Sequence, residues 1–396
     1  MTNADVFAST AAHEFGLYAR QPLALVRGAG CWVWDADGRR YLDFFAGVAV
    51  NGLGHCHPAV VEAIRRQAGE LLHVSNHYHT PLAGELADLL CQHSFAERAF
   101  LCNSGTEAVE AAMKLARRWG AQGGGGRYEI LSTQGSFHGR TFGALTATGQ
   151  EKYHQGFRPL LPGVRLVPFD DLAAMEHAIA PETIAILMEP IQGEGGVVVP
   201  RPEYLRGLRA LADRHDLLLI FDEIQTGMGR TGTLFAYEQT GAVPDVMALA
   251  KALGGGVPIG ALCATERAAA AFTPGAHGTT FGGNPLTCAA ALAALRTIAE
   301  PAFLDHVTAM GRRLRAGLDA LAARHGRITL VRGLVLMQGL VLDGPGGDVV
   351  ARCLDGGLLV NCTAERVIRI TPPLVITADE IDQGLAILDG AFGATA

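Results

Sequence analysis

In ALAKALGGGVPIGA (248–261) a single lysine, Lys251, stands between an apolar run and three glycines. An ammonium buried there without a partner is strongly disfavoured, so the side chain either reaches water or loses its proton and becomes an amine nucleophile able to attack a carbonyl. Upstream, LLLIFDEIQTGMGRTG puts Asp222 at the carboxyl end of an apolar strand, where ligands bind in open α/β sheets. A buried acid there needs a partner, such as a protonated ring nitrogen. A third stretch, NSGTEAVEAAMK, opens a helix with Ser104 and Glu107 in capping-box spacing, which leaves the backbone N–H groups of Gly105 and Thr106 free for an anion. Read singly, each has a plainer meaning: a snorkelling lysine, an acid capping the next turn, a capped helix without ligand.

Together, an anion site, an acid and an amine at strand ends of one sheet describe a pocket for pyridoxal phosphate (PLP), matching its phosphate, ring nitrogen and aldehyde.

The elements that must position these groups alternate. Strand patterns at 98–103, 127–133, 164–169, 185–190, 217–223 and 246–250 interleave with amphipathic helical patterns at 107–119 and 202–216, which predicts a large α/β domain with a mostly parallel sheet sandwiched by helices. From about Pro285 two helical stretches, four β-like runs and a closing helix after Ala378 read as a smaller α+β domain. The expected organisation is an N-terminal segment over 1–50 packing with the small domain, a hairpin around Asp37–Gly38 within it, a cofactor-binding domain over 51–285 and a small domain over 286–396. The GGGG run at 123–126 reads as a surface loop.

Composition narrows the partners. With 39 acidic against 32 basic residues, a formal charge of -7 and no block of like charge, nucleic acid is not expected as a partner. No apolar run reads as a leader or a membrane span, so the expected location is the cytoplasm, with the eight cysteines as buried thiols. The histidines of GHCHP with His73, His77 and His79 do not repeat a metal-ligand spacing, and no metal is expected. GxxxxGK[ST] is missing, and no GxGxxG joins a strand to a helix, which argues against a nucleotide-dependent enzyme.

In order and spacing, FAGVAVNGLGHCHP, NSGTEAVEAAMKLAR, SFHGRTFGAL, EPIQGEGGV, FDEIQTGMGRTGTLFAYE, LAKALGGGVPIGA, HGTTFGGNPL and VNCTAERVIRITPPL resemble the class III aminotransferases, most of all the acetylornithine branch. The resemblance spans nearly the whole chain and implies PLP fold type I and a homodimer with shared active sites. It also implies roles. Lys251 would carry the cofactor and move the substrate proton, and Asp222 would keep the ring nitrogen protonated. Phe137 and Ile224 would flank the ring and Gln225 would bond its hydroxyl, with Glu223 among the cofactor contacts. Gly105 and Thr106 would cradle the phosphate, helped by Thr280 from the neighbouring subunit.

A donor with a remote carboxylate and glutamate with a near one must present their amines to the same carbon, so one fixed arginine cannot serve both. The resemblance assigns this task to Arg140 and Arg369, with Glu194 neutralising Arg369 while the long donor is bound. Val48, where ornithine δ-aminotransferases tend to carry tyrosine, and Thr279 fall on the donor side; His77 and His79 replace the family's Leu and Tyr. The implied reaction moves the δ-amino group of N2-acetylornithine to 2-oxoglutarate, a step of arginine biosynthesis. Rival donors are succinylornithine, succinyldiaminopimelate, ornithine and 4-aminobutyrate.

Overall fold

The computed structural model describes residues 1–122 and 126–393, so the glycine run at 123–126 lies, except for Gly126, outside the described residues. Fifteen strands among these residues form three sheets. The central one has the order β4-β10-β9-β8-β7-β5-β6, from β4 (Arg98–Cys102), β5 (Glu129–Thr133), β6 (Val164–Val167), β7 (Thr183–Met188), β8 (Leu218–Asp222), β9 (Val246–Leu249) and β10 (Gly260–Ala264). Only β10 runs against its neighbours. The fold is therefore α/β with a mostly parallel mixed sheet. The sequence pattern finds six of these strands and misses β10, because GALCA is small and carries almost no β-branched or aromatic signal.

β8 is apolar up to its last residue, Asp222, because both faces are covered. Leu219 and Phe221 join one core cluster and Leu218 and Ile220 the other, as the two-residue period of a strand requires. Each such fully buried side chain stabilises the fold by roughly 1.5–3 kcal/mol. The helix Gly105–Gln122 presents Ala108, Ala111, Ala112 and Leu115 to the second cluster, so its first turn lies beside the end of the sheet.

The C-terminal sheet has the order β11-β12-β15-β14, from β11 (Ile328–Leu334), β12 (Met337–Leu342), β14 (Asn361–Thr363) and β15 (Val367–Ile370). The run LLVNC, which reads as one strand, is two. β13 (Leu358–Leu359) pairs in parallel with β3 (Arg40–Asp43), beyond the hairpin β1 (Leu25–Ala29) and β2 (Trp32–Asp35), and the chain then crosses at Val360 to become β14. Leu42 and Phe44 enter the C-terminal core with Leu314 and Ile368. One boundary differs from the sequence reading. The helix Pro285–Ile298 buries Cys288, Leu292, Leu295 and Ile298 in the core of the central sheet, so the change of core falls after it, near Pro301. Its small apolar face suits either core, which is why the pattern could not place it.

No single helix among the described residues is long and apolar enough to cross a membrane.

Candidate active site

At the carboxyl ends of β7, β8 and β9 lies a cavity of 460 Å³. Nine of the expected residues line it: Gly105, Thr106, Phe137, Arg140, Glu194, Asp222, Ile224, Gln225 and Lys251.

Lys251 lies two residues past the end of β9, after Ala250, and has φ +45, a left-handed conformation that a side-chain-bearing residue adopts at a cost. Burial pushes its ammonium down to about 8, while the charge of Glu194 pulls the other way. Among the described residues it has no hydrogen-bonded or ion-paired partner. Opposite, Asp222 ends β8 and is buried; its Oδ1 accepts the N–H of Ile224 at 3.1 Å, and its Oδ2 lies 2.7 Å from Nδ1 of His138. Burial disfavours a charged imidazole, but the hydrogen bond and charge of Asp222, with Glu189 behind, raise the His138 pKa above its ordinary value.

The third corner is the start of the helix Gly105–Gln122. Ser104 Oγ accepts the N–H of Glu107 at 3.3 Å, and the Glu107 carboxylate accepts from the N–H of Asn103 and the Ser104 hydroxyl, both at 2.9 Å. The N–H groups of Gly105 and Thr106 have no backbone acceptor among the described residues. A Cβ on Gly105 would stand 2.7 Å from Ile224 Cδ1, so only glycine lets the turn come this close.

Arg140 stacks on Tyr153, 4.1 Å from the ring centroid, and lies 5.6 Å from that of Phe137. Arg369, on β15 and buried, makes an ion pair with Glu194 and reaches Gln225 Oε1 at 3.4 Å. Burial would raise the Glu194 carboxyl, but the adjacent guanidinium outweighs it and holds the group below its usual range.

Five expected residues are not among those that line the cavity: Arg369, which reaches it through Glu194, and Glu223, Val48, Thr279 and Thr280. Glu223 is not a cavity residue: its carboxylate accepts the N–H groups of Ala236 and Tyr237, both at 2.7 Å, and the Thr226 hydroxyl at 3.1 Å. It anchors the turn Ala236–Gln239, and burial pushes its pKa to about 7. Val48 lies in a left-handed turn, with φ of +49, +61, +64 and +61 from Ala46 to Ala49, and Val50 borders the cavity instead. Thr279 accepts from Asn103 Nδ2 at 3.0 Å, at the cavity's edge. Thr280 lines a separate cavity of 210 Å³ with His73, His77 and His79.

Two buried residues were missed. Glu189 follows β7 and accepts the N–H of Phe137 at 3.0 Å and that of Gly193 at 3.1 Å, and burial pushes its pKa to about 7. The strand-end argument that singles out Asp222 applies equally to it. His138 sits beside Phe137 in SFHGRT, but nothing in its spacing points to Asp222. Among the described residues no three metal-ligating side chains converge; His55 Nε2 instead lies 2.7 Å from Asp43 Oδ2.

A lysine, an acid and a helix start at the ends of a mostly parallel sheet define a fold type I transferase. The chain belongs to the class III aminotransferases, whose family pattern matches residues 17–392. It is 51% identical over 374 residues to an acetylornithine aminotransferase of Caldanaerobacter subterraneus subsp. tengcongensis, covering 94% of this chain and 95% of that one. The structure of N-acetylornithine aminotransferase from Stenotrophomonas maltophilia is similar with a TM-score of 0.86 and 40% identity, covering 98% of both chains. An ornithine aminotransferase of Toxoplasma gondii, described with partial occupancy of PLP at its active site, matches with a TM-score of 0.96 and 35% identity over 99% of this chain and 94% of that one.

Proposed function

We propose that this chain transfers the δ-amino group of N2-acetylornithine to 2-oxoglutarate with PLP as cofactor, giving N-acetylglutamate 5-semialdehyde and glutamate. The observation that carries this reading is the meeting in one cavity of Lys251, with its lowered pKa, Asp222 and the free helix start, beside Arg140 and the Glu194–Arg369 pair.

The residues present fit PLP. An unpaired amine, a buried acid and uncommitted N–H groups correspond to its aldehyde, ring nitrogen and phosphate, and the approach of Ile224 to Gly105 leaves a close-walled slot. When bound, the group supplies a carbonyl for amine exchange and a ring that draws electrons from the carbon losing its proton. Lys251 Nζ would take that proton from the amine-bearing carbon and deliver it to the cofactor carbon that receives the nitrogen, as a base poised near neutrality can. Asp222, fixed by His138, keeps negative charge facing the ring nitrogen. Phe137 and Ile224 offer the flanking surfaces.

Glu194 neutralises Arg369 while the donor's own carboxylate lies far from the reacting amine, and glutamate displaces Glu194 to bring its α-carboxylate to Arg369. Arg140 serves the distal carboxylate. In this reading the enzyme acts in arginine biosynthesis in the cytoplasm, as a homodimer in which Thr280 completes the phosphate site of the partner. Its position outside the chain's own cavity supports that arrangement.

The test is a steady-state comparison of N2-acetylornithine, succinylornithine, ornithine and 4-aminobutyrate with 2-oxoglutarate as acceptor. N2-acetylornithine is expected to give the highest kcat/KM, and a larger value for any other donor contradicts the assignment.

A further inference from the structure

Glu194 sits on a loop whose own closing hydrogen bonds leave the Glu194 backbone unheld. The segment Gln192-Gly-Glu-Gly-Gly closes through the Gln192 to Val198 bridge and through the N–H groups of Gly196 and Val197 on the Gly193 carbonyl, with the Gly193 N–H on Glu189; none of these bonds holds Glu194 itself, which has a glycine on either side. Arg369, in contrast, is held by the register of β15 between β12 and β14. An ion pair with one rigid and one free end needs an outside hold on the free one.

The hold comes from the C-terminal sheet. Thr363 Oγ1 donates to the backbone carbonyl of Glu194 at 2.6 Å, and Arg332 Nε donates to that of Gly196 at 2.8 Å. Asn361 Oδ1 accepts from Arg369 Nε at 3.1 Å. Asn361 and Thr363 are two residues apart on β14 and so share one face of that strand, one holding the arginine and the other the glutamate's backbone. The grip on Glu194 is on its carbonyl, which leaves the carboxylate free to leave Arg369 without releasing the loop.

We propose that Thr363 is a positioning residue for substrate choice: its hydroxyl sets where the Glu194 carboxylate meets Arg369, and so how well Arg369 is masked when a donor with a remote carboxylate binds. This rests on the gate reading of Glu194 and Arg369 given above.

The experiment compares Thr363→Val, which keeps shape and removes the donor, with Thr363→Ser, which keeps the donor, in the holoenzyme. Single-turnover rates are followed by cofactor absorbance with N2-acetylornithine and with glutamate, and thermal unfolding is recorded for each variant. Losing one half-buried hydrogen bond should lower the N2-acetylornithine efficiency about five- to tenfold in Thr363→Val while glutamate stays within about twofold, with Thr363→Ser close to wild type. Equal losses for both substrates, no change for either, or failure of serine to restore the ratio overturns the proposal. Glu194→Gln is run in parallel. If it too leaves the ratio unchanged, the gate reading fails; if it shifts the ratio and Thr363→Val does not, only the role of Thr363 falls.

Discussion

His138 Nδ1 lies 2.7 Å from Asp222 Oδ2 with both side chains buried, so the acid at the end of β8 is oriented by an imidazole whose proton it stabilises. Removing the ring leaves a buried carboxylate with the N–H of Ile224 but without its charged partner. His138→Phe should lower the stability of the cofactor-free protein by roughly 3–5 kcal/mol in urea unfolding. The pH dependence has a definite sign. Because folding raises the His138 pKa, the pair's contribution is complete below the ordinary histidine value and is lost as pH rises through the folded-state value. The gap between wild type and variant should therefore narrow with rising pH; a constant gap contradicts the charged pair.

In the proposed role Lys251 reacts as the free amine, and burial brings its pKa to about 8. Uptake of PLP by the cofactor-free protein, followed by absorbance, should speed up as pH rises through about 8 and then level off. Lys251→Ala should show no such dependence and no measurable turnover, since an external amine cannot match a positioned one. A wild-type profile rising only near the ordinary lysine range would mean that the amine is not desolvated.

Arg369→Ala removes the charged partner for a near carboxylate and leaves Glu194 without its own partner. The loss of a charge-assisted hydrogen bond corresponds to roughly 10- to 100-fold in the glutamate half-reaction, with a smaller loss for N2-acetylornithine. Equal losses in separate single-turnover assays would contradict a gate at this position.

Thr280 stands apart from its own chain's cavity, so a shared site predicts complementation. Thr280→Asp, whose carboxylate would repel phosphate, and Lys251→Ala should each be nearly inactive. Refolded together, they should recover roughly a quarter of wild-type activity, because about half the dimers are mixed and each carries one intact site of two. If wild-type controls refold and the mixture stays inactive, Thr280 does not serve a neighbouring subunit.

Much of this site was legible because its chemistry sits at strand ends. Apolar runs such as LLLIF and VMALA identify β8 and β9, and the residues that follow these runs are Asp222 and Lys251, both in the cavity. The capping pair Ser104 and Glu107 likewise marks the helix start, although Glu107 reaches back to the N–H of Asn103 rather than of Ser104. What failed depended on local conformation or long-range contact. Glu223 belongs to the same motif as Asp222 but is taken by the N–H groups of Ala236 and Tyr237, a pairing that no spacing rule contains. The left-handed turn at Ala46–Ala49 is invisible in a sequence with one glycine there, and it puts Val50 rather than Val48 at the cavity. His138 meets Asp222 only because the segment after β5 packs against the distant end of β8.

The central claim is that Lys251 is the amine that holds the cofactor. The chain has three lysines, Lys114, Lys152 and Lys251, and only the last lines the cavity. Reducing the PLP-loaded protein with borohydride, digesting it and sequencing the peptides by mass spectrometry therefore gives a direct answer. The cofactor's added mass is expected on the peptide containing Lys251 and on no other. Added mass on the Lys114 or Lys152 peptide instead, with Lys251 unmodified, would contradict it.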